Sequence, residues 1–162
     1  MSHDLGMKIP GKIMKVLGEK NSNRENSVIF LLSQNDSGYP HVALLSPFQV
    51  LCLNQTRLLV MINSFSGTTQ NISMNGKGTL IIQSLPGVEY LKCKFERYVA
   101  ANSHIDIESE SLFLAETVSV LEDFSEKAPL ISELLFNAES VEEKYSGNFL
   151  RMLRLAREDK LF

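Results

Sequence analysis

The sequence predicts a mainly β protein, an antiparallel β-barrel with flanking helices. Apolar runs of strand length recur through 27–123 and are separated by clusters of turn residues. Asn35–Gly38 is a strong turn signal, because Asn and Asp bond their own backbone and Gly accepts positive φ. The clearest helical periodicity lies toward the two ends of the chain. We therefore expect a single domain over 1–162, with an N-terminal helix and linker at 1–25, the barrel at 27–123 and C-terminal helices at 127–161.

Within the barrel region, each strand is predicted from an apolar run that ends in turn residues. Ser27–Gln34 predicts a strand buried on both faces, and Tyr39–Ser46 returns as its hairpin partner, with Pro40 tolerated only at the strand start. Further strands are predicted at Phe48–Leu53, Arg57–Asn63, Thr79–Gln83 and Val88–Ala101. Leu112–Asp123 has a periodicity that suits a helix, but its β-branched residues favour a strand, which we predict.

The helices are predicted at the margins of the barrel. Pro10 suits the first turn of a short helix that Gly18 ends. Two apolar stripes at helical spacing follow the barrel: Leu130, Ile131, Leu134 and Leu135, then Phe149, Met152, Leu153 and Ala156. Gly147 is expected to separate these two helices.

Composition and charge exclude several classes of function. The chain has 162 residues, 44% of them hydrophobic, and a net charge of -3, which is ordinary for a globular protein without a nucleic-acid-binding surface. Arg151, Arg154 and Arg157 form its one modest basic cluster, which we interpret as the solvated face of a helix. We therefore expect the protein not to bind nucleic acid.

Localisation and cysteine use point to the cytoplasm. The N-terminus has no apolar core of a signal peptide, and the longest apolar runs are far shorter than the roughly 20 residues that span a bilayer. Cys52 and Cys93 are isolated in apolar strand-like stretches, so we expect two buried free thiols and no metal site. His3 is expected in a flexible terminus and His104 in a surface loop, neither with a role.

A polar loop in the strand-rich half is the best candidate for chemistry. Ser64–Thr69 joins a strand to a short helix at Thr69–Asn75, with Ser66 or Thr68 as its cap. Loop N–H groups, hydroxyls and the positive end of a helix dipole together favour an anion. A helix cap with no ligand is the alternative interpretation.

Three blocks of sequence carry a resemblance to a known family. They are GYPHVALLS at 38–46, RLLVMINSFSGTTQNI at 57–72 and NGKGTLIIQ at 75–83. In these blocks and their spacing the chain resembles the pyridoxamine 5'-phosphate oxidase-like, FMN-binding split-barrel family as far as about Ala101. The resemblance implies a split β-barrel of the FMN-binding type, antiparallel and Greek-key-like. It also implies a homodimer with FMN, or a similar phosphorylated flavin, at the subunit interface.

The same resemblance implies which residues contact the cofactor. His41, Val42, Ala43, Leu44 and Ser46 would lie along the isoalloxazine ring, Met61, Ile62 and Asn63 near the ribityl chain, and Ser66, Gly67 and Thr68 at the phosphate, with Asn71 bracing the turn and Gln83 at the polar edge of the ring. For His41, a half-exposed strand position without a cofactor role is the alternative.

Two departures from the family pattern shape the expected function. Many relatives carry Arg and Lys just after the loop serine, where this chain has Gly67 and Thr68, so charge-assisted phosphate bonds are missing. The basic ending of the true vitamin B6 oxidase is also absent. The expectation is an FMN-dependent oxidoreductase of an unknown small molecule, with no catalytic residue assigned because the cofactor carries the chemistry. A non-catalytic flavin- or haem-binding carrier, sensor or stress protein, or one that binds deazaflavin, is the alternative.

Overall fold

The computed structural model describes residues 2–20, 26–101 and 109–162, so that His104 lies outside the described residues. The strands are β1 (Ser2–Asp4), β2 (Ile29–Gln34), β3 (Pro40–Leu45), β4 (Val50–Cys52), β5 (Arg57–Asn63), β6 (Lys77–Ser84), β7 (Gly87–Tyr98) and β8 (Glu110–Asp123). The helices are α1 (Gly11–Leu17), α2 (Gly67–Asn75) and α3 (Ala138–Glu158). A single 3-10 turn, Pro47–Gln49, precedes β4.

One antiparallel sheet of eight strands forms the body of the molecule. Its strands follow the order β3-β2-β6-β7-β8-β5-β4, and β1 adds to β8 beside this path. The sheet curls into a half-barrel, and the three helices flank it. The prediction of a mainly β, antiparallel barrel with flanking helices is confirmed.

Two apolar clusters hold these layers together. The larger cluster fills the curl of the sheet and includes Leu58, Val60 and Phe113, with α1 packed on it. The smaller cluster lies between α3 and the outer face of β5, where Met61 and Leu59 contact the helix side. Because neighbouring residues of a strand point to opposite faces, β5 is buried on both of them.

Local signals in the sequence located most elements well. Gly38 has a φ of +80° in the hairpin turn, and Asn35 Oδ1 accepts the Tyr39 N–H at 3.1 Å. Pro10 precedes α1, Gly18 follows it, and Leu112–Asp123 is a strand as predicted. Both cysteines are buried free thiols, and the three arginines of the basic cluster are exposed on α3.

The first predicted C-terminal helix is wrong. The stripe from Leu130 to Leu135 lies on an extended segment, and α3 starts only at Ala138. This segment bonds the barrel edge instead: Leu130 N donates to Pro86 O at 2.9 Å, and Val28 N donates to Leu134 O at 2.8 Å. Such tertiary bonds satisfy the backbone without a helix. Gly147 was expected to separate two helices but lies inside α3 with open space around it.

Three smaller expectations also need correction. The strand predicted at Phe48–Leu53 loses its start to the 3-10 turn, where Gln49 Oε1 accepts the Ser46 N–H at 3.1 Å. β2 alternates between buried and half-buried residues rather than being buried on both faces, because its outer face carries no covering layer among the described residues. His3 lies in β1, paired with Glu122, rather than in a flexible terminus.

The end of α3 is tied to the barrel by one carboxylate. Tyr98 donates its hydroxyl proton to Asp159 Oδ2, which also accepts the Ala101 N–H at 3.1 Å. The hydrogen bond from Tyr98 lowers the pKa of the Asp159 carboxyl below its ordinary value of 3.8. No helix among the described residues is long and apolar enough to cross a membrane.

Acid should loosen the attachment of α3 to the barrel through Asp159. A carboxyl whose pKa is lowered on folding stabilises the fold above its unfolded pKa and loses that contribution as the pH falls through the folded pKa. Because the ordinary value is 3.8, we expect the contribution of Asp159 to be complete at neutral pH and to fade below about pH 4. The measurement is urea unfolding of wild type and Tyr98→Phe at several pH values. Equal acid sensitivity in both proteins would contradict this assignment.

Candidate functional site

Asn63 organises the loop between β5 and α2. Its side-chain Oδ1 accepts the Phe65 N–H at 2.9 Å, and its backbone oxygen accepts the Ser66 N–H at 3.1 Å. The same oxygen accepts the Thr69 hydroxyl at 2.7 Å. Asn and Asp commonly fold the following backbone in this way, so the loop is positioned by the strand that ends in Asn63.

Ser66 is the cap of α2, which decides between the two predicted caps. Its Oγ accepts the Thr69 N–H at 3.2 Å, whereas the Thr68 side chain is buried. The two N–H groups ahead of that bond, on Gly67 and Thr68, have no acceptor within the part of the chain that the structure describes. Free N–H groups at the positive end of a helix form an anion-binding position.

Removing the cap should cost stability without touching the barrel. We expect Ser66→Ala to lower the free energy of unfolding by about 1 kcal/mol, a typical loss for an N-cap serine. For a chain of this size that corresponds to a fall in Tm of about 2–4 °C. Ser73→Ala is the matched control, because Ser73 is an exposed serine on the same helix. Thermal unfolding checks it, and equal Tm values for the two variants would contradict the role of Ser66.

β3, the strand that contains His41, lies directly beside the N-terminus of α2. A Cβ built on Gly67 would lie 3.7 Å from Cε1 and 3.8 Å from Nε2 of His41, which is ordinary contact. Among the described strands β3 pairs with β2 alone, so its other edge keeps unpaired backbone groups. Val42 and Leu44 on this strand are 52% and 51% exposed. The structure thus brings together β3, which was expected to lie along the flavin ring, and the loop of Ser66 and Gly67, which was expected to contact the phosphate.

Several predicted site residues have other surroundings. Met61 lies under α3 and Ile62 in the barrel core, and at 0% and 2% exposure neither residue offers a surface to a ligand in this chain. Ser46 is fully buried at the end of β3, while Ala43 packs against the barrel core. These residues pack in the interior behind the site and form little of its surface.

Asn71 and Gln83 both use their amides to join elements. Asn71 Nδ2 donates to Ser33 Oγ at 3.1 Å, which braces α2 against β2. Gln83 lies near the Leu45 end of β3, where its Nε2 donates to Val28 O at 2.8 Å and its Oε1 accepts the Leu134 N–H at 2.9 Å. Gln83 therefore anchors the extended C-terminal segment.

Two charged residues near the loop were missed in the sequence. Arg97 donates to Ser111 Oγ at 3.2 Å, and that hydroxyl lies 2.9 Å from Ser64 Oγ, so a guanidinium is linked to the loop through two serines. Glu110 pairs with Asn63 in the sheet register, and burial raises the pKa of its carboxyl. No local motif marks either residue, because strand pairing alone brings them to the loop.

The thiol of Cys93 and the metal-ligating types of side chain among the described residues are relevant to nucleophilic and metal chemistry. Burial raises the pKa of the Cys93 thiol to about 12, so it stays protonated at neutral pH. Within the described residues, no group of three or more His, Cys, Asp or Glu side chains could hold a metal ion. The site offers hydrogen-bond donors, an exposed strand edge and one imidazole.

Among the comparisons with known proteins, only the comparison with solved structures found matches. No family model and no curated protein matches the chain. A candidate pyridoxamine 5'-phosphate oxidase from Lactobacillus delbrueckii is 13% identical at a TM-score of 0.58, with 72% of this chain and 97% of that chain covered. A second one, from Listeria innocua, is 13% identical at a TM-score of 0.50, with 67% and 93% covered. The fold is the split barrel.

A third solved structure shows a further use of the split barrel. It is an F420 reductase, 10% identical at a TM-score of 0.50, with 69% of this chain and 98% of that chain covered. All three likenesses extend over nearly the whole of the other chain. At such low identity they establish the split-barrel fold and nothing finer.

Proposed function

We propose that this split barrel is an FMN-binding flavoprotein whose cofactor lies between the edge of β3 and the N-terminus of α2. The observation that carries the proposal is the position of the His41 ring, 3.7 Å from where a Cβ on Gly67 would lie, beside two N–H groups that lack an acceptor among the described residues. An anionic phosphate there would satisfy both N–H groups. β3, which contains His41, would then lie along the isoalloxazine ring.

The residues present fit a phosphorylated flavin. Gly67 and Thr68 would hold the phosphate through backbone N–H groups, and Arg97 stands nearby as the linked cation. Val42 and Leu44 point to the face of β3 opposite to His41, so the ring would lie along the free edge of β3, whose backbone donors and acceptors would meet its polar rim. A bound flavin supplies electron or hydride transfer, while the chain binds it, orients it and excludes water.

The proposal includes a homodimer that closes the site. The ring strand lies at an open sheet edge, and its apolar side chains are half exposed. A two-fold related copy is the commonest way for a small protein to cover such a surface. The resulting pocket would admit a small-molecule substrate to one face of the ring.

A non-catalytic cofactor-binding role is the second candidate. It is favoured by the loop itself, because neutral Gly67 and buried Thr68 stand after the capping serine. A phosphate held without direct cationic contacts lacks the additional charge-assisted hydrogen bonds that Arg and Lys side chains would donate. A carrier or sensor of flavin, deazaflavin or haem tolerates that loss better than a rapidly cycling oxidoreductase.

The test is a titration with FMN and with riboflavin, which lacks the phosphate. We expect FMN to bind at least about tenfold more tightly, since one charge-assisted hydrogen bond is worth about 1.5–3 kcal/mol. Light scattering on the same sample should return a dimer. Equal binding of both flavins would remove the phosphate site, and absence of binding would remove the flavin. Reduction of bound FMN by NAD(P)H with turnover separates the oxidoreductase from the carrier.

A further inference from the structure

A second concave site lies on the outer face of the sheet. It is a cavity of about 640 Å³ that spans β2, β6, β7 and β8 and reaches the hairpin between β2 and β3 at Gly38 and Pro40. Its floor includes Leu32, Thr79 and Val118, and its rim carries Lys77, Lys92 and Lys94. We call it the lysine groove.

The charges of the lysine groove are unbalanced. Lys77 and Lys94 are directly opposite each other in the register of β6 and β7, and Lys92 is opposite Thr79 on the same face. Like charges opposite each other on paired strands destabilise a sheet. The protein as a whole carries a net charge of -3, so this cluster runs against the prevailing sign.

The carboxylates nearest to the lysine groove lie beside Lys94, outside its lining. Its lining, as far as the chain is described, contains no Asp or Glu. Glu116 is opposite Lys94 in the register of β7 and β8, yet the described residues show no ion pair between them within 4.0 Å. Lys94 also lines a neighbouring cavity with Glu96 and Glu116, so Lys77 and Lys92 carry most of the positive charge that the groove's own lining leaves without a carboxylate.

A β-bulge shapes the apolar floor. The register of β7 and β8 shifts between Lys92 and Cys93, whose partners are Ser119 and Thr117, so Val118 has no partner on β7. Its side chain is 42% exposed and lines the cavity. Bulges often re-aim a side chain next to a binding site.

We propose that the lysine groove binds a phosphorylated organic anion of about nucleotide size. The ammonium groups would contact its phosphates, and the apolar floor would lie under its organic part. Lysine is a common phosphate ligand, and the cavity falls within the range of about 300–1,000 Å³ typical of small-molecule sites. This site goes beyond the proposed flavin site and does not require it.

The experiment uses ADP, pyrophosphate and adenosine as probes, titrated by calorimetry into the purified protein with and without saturating FMN. We expect ADP to bind at least about tenfold more tightly than adenosine, and Lys77→Gln/Lys94→Gln to weaken ADP binding at least about tenfold. Lys15→Gln is the matched control, because Lys15 is an exposed lysine on α1, which packs on the core cluster inside the curl of the sheet and not on its outer face. All three replaced lysines are exposed, so the control should keep the wild-type Tm, and the double variant, which removes two opposed like charges, should have an equal or slightly higher Tm.

Three results would overturn the proposal. The first is no ADP binding at millimolar concentration, or equal binding by the double variant and wild type. The second is displacement of ADP by FMN, which would make the groove part of the flavin site. The third is a changed dimer equilibrium in the double variant with anion binding unaltered, which would assign the lysines to a protein interface. ADP binding by a protein that fails to bind FMN would support this site and refute only the flavin proposal.

Discussion

Gly67→Asp is expected to weaken FMN binding about 100-fold or more while leaving the fold intact. A carboxylate at this position would face the phosphate and remove the benefit of two charge-assisted hydrogen bonds, each worth about 1.5 kcal/mol or more. The side chain has room, since a Cβ there meets His41 at ordinary contact distance. An acidic residue in the first turn also favours the helix by about 0.3–1 kcal/mol. Fluorescence titration with FMN measures the loss.

Controls separate charge from size at this position. Gly67→Ala adds a methyl group without charge and should keep FMN affinity within a few-fold of wild type. Gly67→Lys adds the missing cation, and we expect it to tighten FMN binding about tenfold. Riboflavin affinity should be the same in all of these proteins. If Gly67→Asp binds FMN as wild type does, the phosphate lies elsewhere.

Lys12→Met is expected to lower the free energy of unfolding by about 3 kcal/mol, because it leaves a buried carboxylate without its cation. Glu89 is fully buried, pairs with Lys12 and accepts the Ser84 hydroxyl. Lys12 also contacts Glu122 at 2.8 Å, and Glu122 is directly opposite Glu89 in the sheet register. The lysine thus separates two opposed carboxylates, and together they raise its pKa despite the opposing effect of burial.

The expected fall in Tm is about 6–12 °C for a chain of this length. The double variant Lys12→Met/Glu89→Gln should recover most of it, because the buried charge is then gone as well. Lys15→Met is the control on the same helix, since Lys15 is exposed like Lys12 but has no ion pair among the described residues. Thermal unfolding of the four proteins is the measurement. A Lys12→Met protein as stable as Lys15→Met would show that solvent, not Lys12, balances Glu89.

Features set by neighbouring residues could be predicted from the sequence. The turn at Asn35–Gly38 and the ends of α1 depend on side chains and glycines within a few residues of one another. The cap of α2 by Ser66 and its end at Gly76, with φ of +62°, are of the same kind. β-branched composition correctly decided the state of Leu112–Asp123.

Features set by pairing between residues that are distant in the chain could not be predicted from the sequence. The apolar stripe from Leu130 to Leu135 has helical spacing, yet its backbone bonds residues at the opposite end of the barrel sequence. Arg97 reaches the loop only because β7, β8 and β5 are neighbours in the sheet. The lysine groove depends on strand register and on a bulge at Val118, neither of which a single sequence pattern reveals.

The central claim is that the corner between His41 and the start of α2 holds the phosphate of a flavin. A crystal structure of the protein grown with FMN tests it most directly. The claim predicts phosphate oxygens within hydrogen-bond distance of the Gly67 and Thr68 N–H groups, with the ring along β3. A phosphate bound at any other place, or a corner closed by packed side chains with flavin absent, would contradict it.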